Sequence, residues 1–242
     1  MQNRHFLPLV GLMAGVCWLG SVLPCHAQMS FRIAVNTAPL IGHPAGPFFV
    51  DFDLTDGSGT NDANNTALIS NFAFGGGGPV GAPTLSGEAS GNLSTAVRLN
   101  DSHFLNEFIQ EFTPGDTLTF DVGLTTNVDA GPTPDEFSFK ILDCTQVEIP
   151  TTGLGDKLLL VDINSSPIIE TFASDPSRAP ACGGGPFTPQ VVPSVTPEPG
   201  TLAFLLSAVG GLVVLRRRKR KYESFATPTD AVFRDEETLE AK

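Results

Sequence analysis

Apolar and polar residues alternate with a period of two along several short stretches of the chain. Leu118, Phe120, Val122 and Leu124 fall on one side of such a stretch, with Thr117, Thr119, Asp121 and Gly123 on the other. Phe137, Phe139 and Ile141 alternate with Glu136, Ser138 and Lys140 in the same way. This period is that of a strand with one buried face. Residues 48–54 and 67–74 read as further strands, 158–163 as a more fully buried one, and 31–35 and 96–99 carry weaker forms. Turn residues separate them at Asp56-Gly57, Gly75 to Gly78, Pro114-Gly115 and Gly131-Pro132. One segment departs from the pattern. Phe104, Leu105, Phe108, Ile109 and Phe112 recur at helical spacing behind a cap at Asp101 or Ser102, which predicts one short helix. The expected fold is mainly β: a single antiparallel β-sandwich, jelly-roll-like, with that helix added. No internal repeat points to a solenoid or propeller.

Composition narrows the picture. The 242 residues include 25 Gly and 20 Pro, only 17% are charged, and 41% are hydrophobic, which suits a loop-rich β protein with a core. The formal charge of −12 argues against nucleic-acid binding, which needs a basic surface to replace phosphate counterions.

The two ends read as addresses. Arg4 precedes an apolar run from Phe6 to Leu23, and Cys25 and Ala27 stand at the −3 and −1 positions of a cut between Ala27 and Gln28. That order is a secretory signal peptide, removed by signal peptidase. At the other end, Thr201 to Leu215 carry no charge and span about 22 Å as a helix. The run Arg216, Arg217, Arg218, Lys219, Arg220 and Lys221 then stops transfer, keeping the cations on the cytoplasmic side of the inner membrane. Pro199 marks where the transmembrane helix, 200–215, begins.

Pro197-Glu198-Pro199, the short apolar helix and the Arg-rich end follow one another in fixed order. This order resembles the PEP-CTERM sorting signal of bacterial exosortase substrates. The resemblance covers residues 197–221 and implies cleavage near Pro197, Glu198 and Pro199 by a membrane-embedded exosortase. The product would pass to the cell surface or the extracellular polysaccharide matrix. The family usually ends at the basic cluster, whereas this chain continues for 21 residues with six acids. The body also resembles exported domains attached to such signals, through Phe49-Val50-Asp51-Phe52, Ile69-Ser70-Asn71-Phe72 and Phe112-Thr113-Pro114-Gly115. That second likeness implies a β domain and no catalytic residues.

The expected organisation is therefore a signal peptide at 1–27, a sandwich at 28–175 and a Pro/Gly-rich stalk at 176–196. The sorting signal at 197–221 and an acidic cytoplasmic tail at 222–242 follow. The exported body, 28–196, holds five cations against 19 acids, a net charge of −14, which favours solubility and divalent-cation association.

Candidate chemistry is sparse. The body has two histidines, with His43 in a Gly-Pro loop and His103 at the start of the predicted helix, and neither has ligand spacing or a nucleophile motif beside it. Gly76-x-Gly78-x-x-Gly81 has the form of a dinucleotide fingerprint, but Pro79 removes a phosphate-binding N–H and no helix follows. Cys144 and Cys182 form the one pair that survives signal cleavage; they would bridge in an oxidising compartment, the alternatives being free thiols or intermolecular pairing. Asp51, Asp53, Asp56 and Asp62 lie with Asn61, Asn64 and Asn65 around Gly57 and Gly59. Such oxygen-rich chemistry suits Ca²⁺, although Asp and Asn also gather in turns without a metal.

No other cofactor is expected. The body has no Trp or Tyr to offer a sugar platform, and most of its 14 phenylalanines lie on predicted strand faces or the helix stripe. The reading is a non-catalytic structural or interaction protein of the surface or matrix. A carbohydrate- or calcium-binding module is the alternative, and a glycoside hydrolase using two carboxylates comes third.

Overall fold

The computed structural model describes residues 28–58 and 61–197. The predicted signal peptide, the transmembrane helix, the basic cluster, the acidic tail, and Glu198 and Pro199 lie outside the described residues. No helix among the described residues is long and apolar enough to cross a membrane.

Thirteen strands follow in chain order: β1 (Gln28–Asn36), β2 (Phe48–Thr55), β3 (Thr66–Ala73), β4 (Gly78–Pro79), β5 (Thr84–Ser86), β6 (Glu88–Gly91), β7 (Ala96–Asn100), β8 (Leu105–Thr113), β9 (Thr117–Thr125), β10 (Asp135–Leu142), β11 (Leu159–Ile163), β12 (Ile168–Thr171) and β13 (Val192–Pro197). They form two antiparallel sheets. The first runs β13-β1-β9-β3-β7-β6, and the second runs β12-β11-β10-β2-β8-β4 with β5 also paired to β8. The chain passes from one sheet to the other between β1 and β2, β2 and β3, β3 and β4, β5 and β6, β7 and β8, on either side of β9, and between β12 and β13. Each sheet turns its apolar positions towards the other, so the alternation read in the sequence becomes one shared core.

Phenylalanines fill the middle of that core. The Phe52 ring of β2 lies 5.2 Å from Phe120 of β9 at 79°, and 5.4 Å from Phe139 of β10. Phe120 and Phe139 meet edge to face at 5.1 Å. Such contacts add to burial worth about 1.5–3 kcal/mol for each large side chain. Nine of the body's phenylalanines are fully buried in this way, which binds the two sheets at their centre.

Two expectations are overturned. The predicted helix around Phe104 to Phe112 is strand β8, paired with β2 from Phe48↔Phe112 to Thr55↔Leu105. Its inner face carries Asn106, Phe108, Gln110 and Phe112, all buried, while Leu105 and Ile109 lie on the outer face. Two buried amides on the inner side and two aliphatics on the outer side break the apolar alternation and imitate helical spacing. Asn106 donates to the carbonyls of Leu54 and His103, and Gln110 accepts from the Leu93 N–H and donates to the Gly81 carbonyl, so neither amide is buried unpaired.

The stalk predicted at 176–196 is part of the sandwich. Phe187 and Val191 are buried, and the Phe187 ring lies 4.5 Å from that of His43. The Ser174 N–H donates to the Val191 carbonyl, and the Val191 N–H donates to Ser174 Oγ, both at 2.9 Å. β13 then pairs antiparallel with β1, from Asn36↔Val192 to Phe31↔Pro197. Pro193 and Pro197 fit there because β13 is an edge strand, where a missing N–H breaks no ladder. Cys144 and Cys182 are bonded, with their Cα atoms 5.8 Å apart, and Asp143 Oδ2 accepts from the Cys182 N–H. The bridge thus holds the Pro-rich segment against the domain along its length.

Candidate functional site

The carboxylates of the body gather in two places, which differ in what neutralises them. The first lies on the outer face of the second sheet. Val50, Phe52 and Leu54 of β2 point into the core, so Asp51 and Asp53 point outward. The register sets Lys140 of β10 opposite Asp51, and Glu107 of β8 opposite Asp53. Lys140 Nζ lies 2.6 Å from Asp53 Oδ2, 3.4 Å from Asp51 Oδ2 and 3.6 Å from Glu148 Oε1.

Although they face outward, Asp51 and Asp53 are only 2% and 5% exposed. One ammonium serves two buried carboxyls. Burial, then the charge of Asp53, pushes the Asp51 carboxyl up to about 8, against the pull of Lys140. Burial opposes the charge on Lys140, but Asp51 and Asp53 outweigh it and hold the ammonium more firmly than usual. Lys140 makes its shortest ion pair with Asp53, while burial favours the neutral form of Asp51. Burial also raises Glu107. A cleft of about 90 Å³ adjoins this face, lined by Phe49, Ile109, Thr84 and Gln146 among others. That is well below the roughly 300–1,000 Å³ of small-molecule sites.

The second cluster lies at one end of the sandwich, where three connections converge. Asp56 follows β2, Asn64 and Asn65 precede β3, Asp101 follows β7, Asp129 lies between β9 and β10, and Asp135 opens β10. Oxygens of Asp56, Asp129 and Asp135 all lie within 4.8 Å of one another. Asn65, fully buried, ties the connections together. Its N–H donates to Asp101 Oδ2, its Nδ2 donates to Asp135 Oδ2 and the Asn127 carbonyl, and its Oδ1 accepts from the Asn127 N–H. Gly57 approaches so closely that a Cβ there would collide with the Pro134 carbonyl, and its N–H donates to Asp135 Oδ1 at 2.8 Å. Asn61 and Ala63 both take left-handed backbone conformations, at φ 59° and 58°, to complete the turn.

The donors of this end satisfy only part of the cluster. Asp56 Oδ2 accepts from the Asn61 N–H, and Asp129 Oδ1 accepts from Asn64 Nδ2. Asp56 Oδ1, Asn64 Oδ1, Asp101 Oδ1 and Asp129 Oδ2 are buried without a hydrogen-bond partner among the described residues. The ion pairs of the described residues use Arg32, Lys140, Lys157 and Arg178, all elsewhere. Burial pushes the Asp101 carboxyl up to about 7, with the charges of Asp135 and Asp62 adding and the Asn65 N–H opposing. Burial raises Asp129 as well.

The four acids singled out in the sequence are therefore divided. Asp51 and Asp53 face Lys140, because strand alternation carries them onto the open face of the sheet. Asp56 joins Asp129 and Asp135, and Asp62 is held by the N–H and Nδ2 of Asn64. Asp101, Asp129 and Asp135 were not legible as partners of Asp56, because they lie far along the chain and meet it only at the strand ends. A signal existed in their position: each flanks a strand end on the same side of the sandwich.

The histidines stand apart from both clusters. His43 packs against Phe187, with its Nδ1 accepting from the Ala45 N–H, while His103 is exposed beside Ser102. No family model, curated protein or solved structure matches this chain.

Proposed function

We propose that the chain is an exported, non-catalytic jelly-roll-like β-sandwich, delivered to the cell surface or the extracellular matrix by an exosortase-type signal. The observation that carries this reading is the pairing of the two strands nearest the expected cuts: β1 and β13 are antiparallel neighbours in one sheet, from Phe31↔Pro197 to Asn36↔Val192. The segment that follows the expected signal-peptidase cut and the segment that leads into the Pro-Glu-Pro run are thus held to one another beside the shared core. Both expected cuts would fall outside that core. A matrix protein benefits from this arrangement, since release removes the membrane helix without exposing core.

The engagement of the buried polar residues supports a structural role. Asn65, Asn106 and Gln110 fasten strands and connections to one another. Burial of most phenylalanines in the core favours this reading over the carbohydrate-binding alternative, which needs exposed ring faces.

Intact mass tests the proposal. The full chain is produced in a host with an exosortase and in one without, and surface and culture fractions are weighed. The expected product starts at Gln28 and ends near Pro197–Gly200 only where exosortase is present. A chain that keeps Arg216 to Lys242 in both hosts would make it a plain membrane-anchored protein.

A further inference from the structure

The cluster at the end of the sandwich has a chemistry that the proposed function leaves unused. Asp56 is 2% exposed, its Oδ2 is occupied by the Asn61 N–H, and its Oδ1 has no partner among the described residues. That free oxygen belongs to one of the three carboxylates whose ligand atoms lie within 4.8 Å of one another. Asn64, whose Nδ2 donates to Asp129, and Asp129 itself each keep a buried oxygen without a partner among the described residues, Asn64 Oδ1 and Asp129 Oδ2. Ionised carboxylate and amide oxygens only accept, and a single cation placed among them satisfies several at once. None of the ion pairs among the described residues brings a lysine or arginine to this place.

We infer that this end of the sandwich is a Ca²⁺ site, with Asp56, Asp129 and Asp135 as carboxylate ligands and Asn64 Oδ1 as an amide ligand. The donor set decides the metal. It is all hard oxygen, without histidine or thiolate, which sets aside zinc and copper. The oxygens come from separate connections with irregular backbone, which suits the six to eight ligands and loose geometry of Ca²⁺ better than the strict octahedron of Mg²⁺.

The placement also says what the ion does. Asp56 and Asp135 end and begin strands of the second sheet, while Asn64 leads into β3 of the first and Asp129 lies on the connection leaving β9. One Ca²⁺ would join the two sheets at an end where they are otherwise held by amide hydrogen bonds. The inference does not depend on sorting, since a retained and a released chain carry the same site.

Calorimetry and thermal melts by circular dichroism on the full chain in detergent, freed of metal with EGTA, test it with CaCl₂ and MgCl₂ as probes. The expected result is one Ca²⁺ per chain at this site, bound at least tenfold more tightly than Mg²⁺, with a midpoint raised by several degrees at saturation. Asp129→Asn should weaken Ca²⁺ at least tenfold, yet leave the midpoint in EGTA unchanged or higher, because it relieves repulsion when no ion is present. Asp56→Asn should do the same to binding; if it fails to fold, Asp129→Asn alone decides. Glu88→Gln on β6 should change neither quantity. Three results would each overturn the assignment: no heat and no shift in midpoint up to about 10 mM Ca²⁺, beyond the weakest extracellular modules; Mg²⁺ bound as tightly as Ca²⁺; or Ca²⁺ binding that survives Asp129→Asn, which would place it on the acidic tail.

Discussion

The two carboxylate clusters of this domain solve the same electrostatic problem in opposite ways. On the outer face of the second sheet, Asp51 and Asp53 are buried with a lysine that the fold itself supplies, and burial raises the Asp51 carboxyl towards its neutral form. At the end of the sandwich, Asp56, Asp129 and Asp135 converge with amide donors, and none of the ion pairs among the described residues reaches them. A strand pairing can place Lys140 opposite Asp51 because register is rigid. The converging connections instead leave oxygens facing one another around a small space. Charge that is settled internally stabilises a face; charge left open can take an ion. Nearness of acids in sequence says nothing about which of the two results.

The largest effect that would break this contrast is loss of the internal cation. Lys140→Met leaves Asp53 without its counterion in a buried setting, and should destabilise the domain by about 3–5 kcal/mol in urea unfolding followed by circular dichroism. Adding Asp53→Asn to that variant should recover part of the loss, which a simple packing defect would not.

The second effect separates the clusters. EGTA should lower the midpoint of wild type and of Lys140→Met alike, by an amount corresponding to about 2–3 kcal/mol between chelated and Ca²⁺-saturated chains at about a hundredfold excess over Kd. If Lys140→Met abolished the Ca²⁺ response, the two clusters would be one coupled network.

The third concerns pH, and the direction follows from the sign of the shift. Asp51 holds its proton in the folded state up to about 8, against an ordinary value of 3.8. The folded chain therefore binds more protons between those values, so this group's contribution is fully present below 3.8 and disappears as pH rises through 8. Stability measured at constant Ca²⁺ should fall from pH 6 to pH 9. Glu107, Glu148, Asp53 and Lys140 face the same group, so Asp51→Asn should flatten most of the slope and Glu107→Gln a smaller part. A flat wild-type profile would mean that Lys140 keeps both aspartates ionised.

The smallest effect is on the exposed side of the open cluster. In EGTA, Asp129→Asn should gain a few tenths to about 1 kcal/mol, the scale of a partly exposed charge contact.

The fold was legible where one face of a strand is apolar throughout. Strands β9 and β10 alternate cleanly, and they and β2, β3 and β11 appear within a residue or two of the sequence-based reading. β8 was hidden because Asn106 and Gln110 take inner positions, where hydrogen bonds to the backbone replace apolar contact. The run from Pro176 onward looked like a stalk because proline opposes regular structure locally. Phe187, Val191, the Cys144–Cys182 bond and an edge position for β13 make it part of the domain. Of the acidic site, Asp56 and Asn64 were visible as members of an oxygen-rich turn, and Asp129 and Asp135 were not.

What the sequence determined by itself was local or compositional: period-two alternation, turn chemistry, an acidic body and a Pro-Glu-Pro run followed by apolar and basic residues. These depend on neighbouring residues and survive without a folded context. The tertiary structure alone decided which acids meet, because that depends on register and on which strand ends share a side of the sandwich. The β2–β3 and β9–β10 connections, brought together at one end, put Asp56, Asp129 and Asp135 within ligand reach, and a single β2–β10 pairing withdrew Asp51 and Asp53 to a lysine.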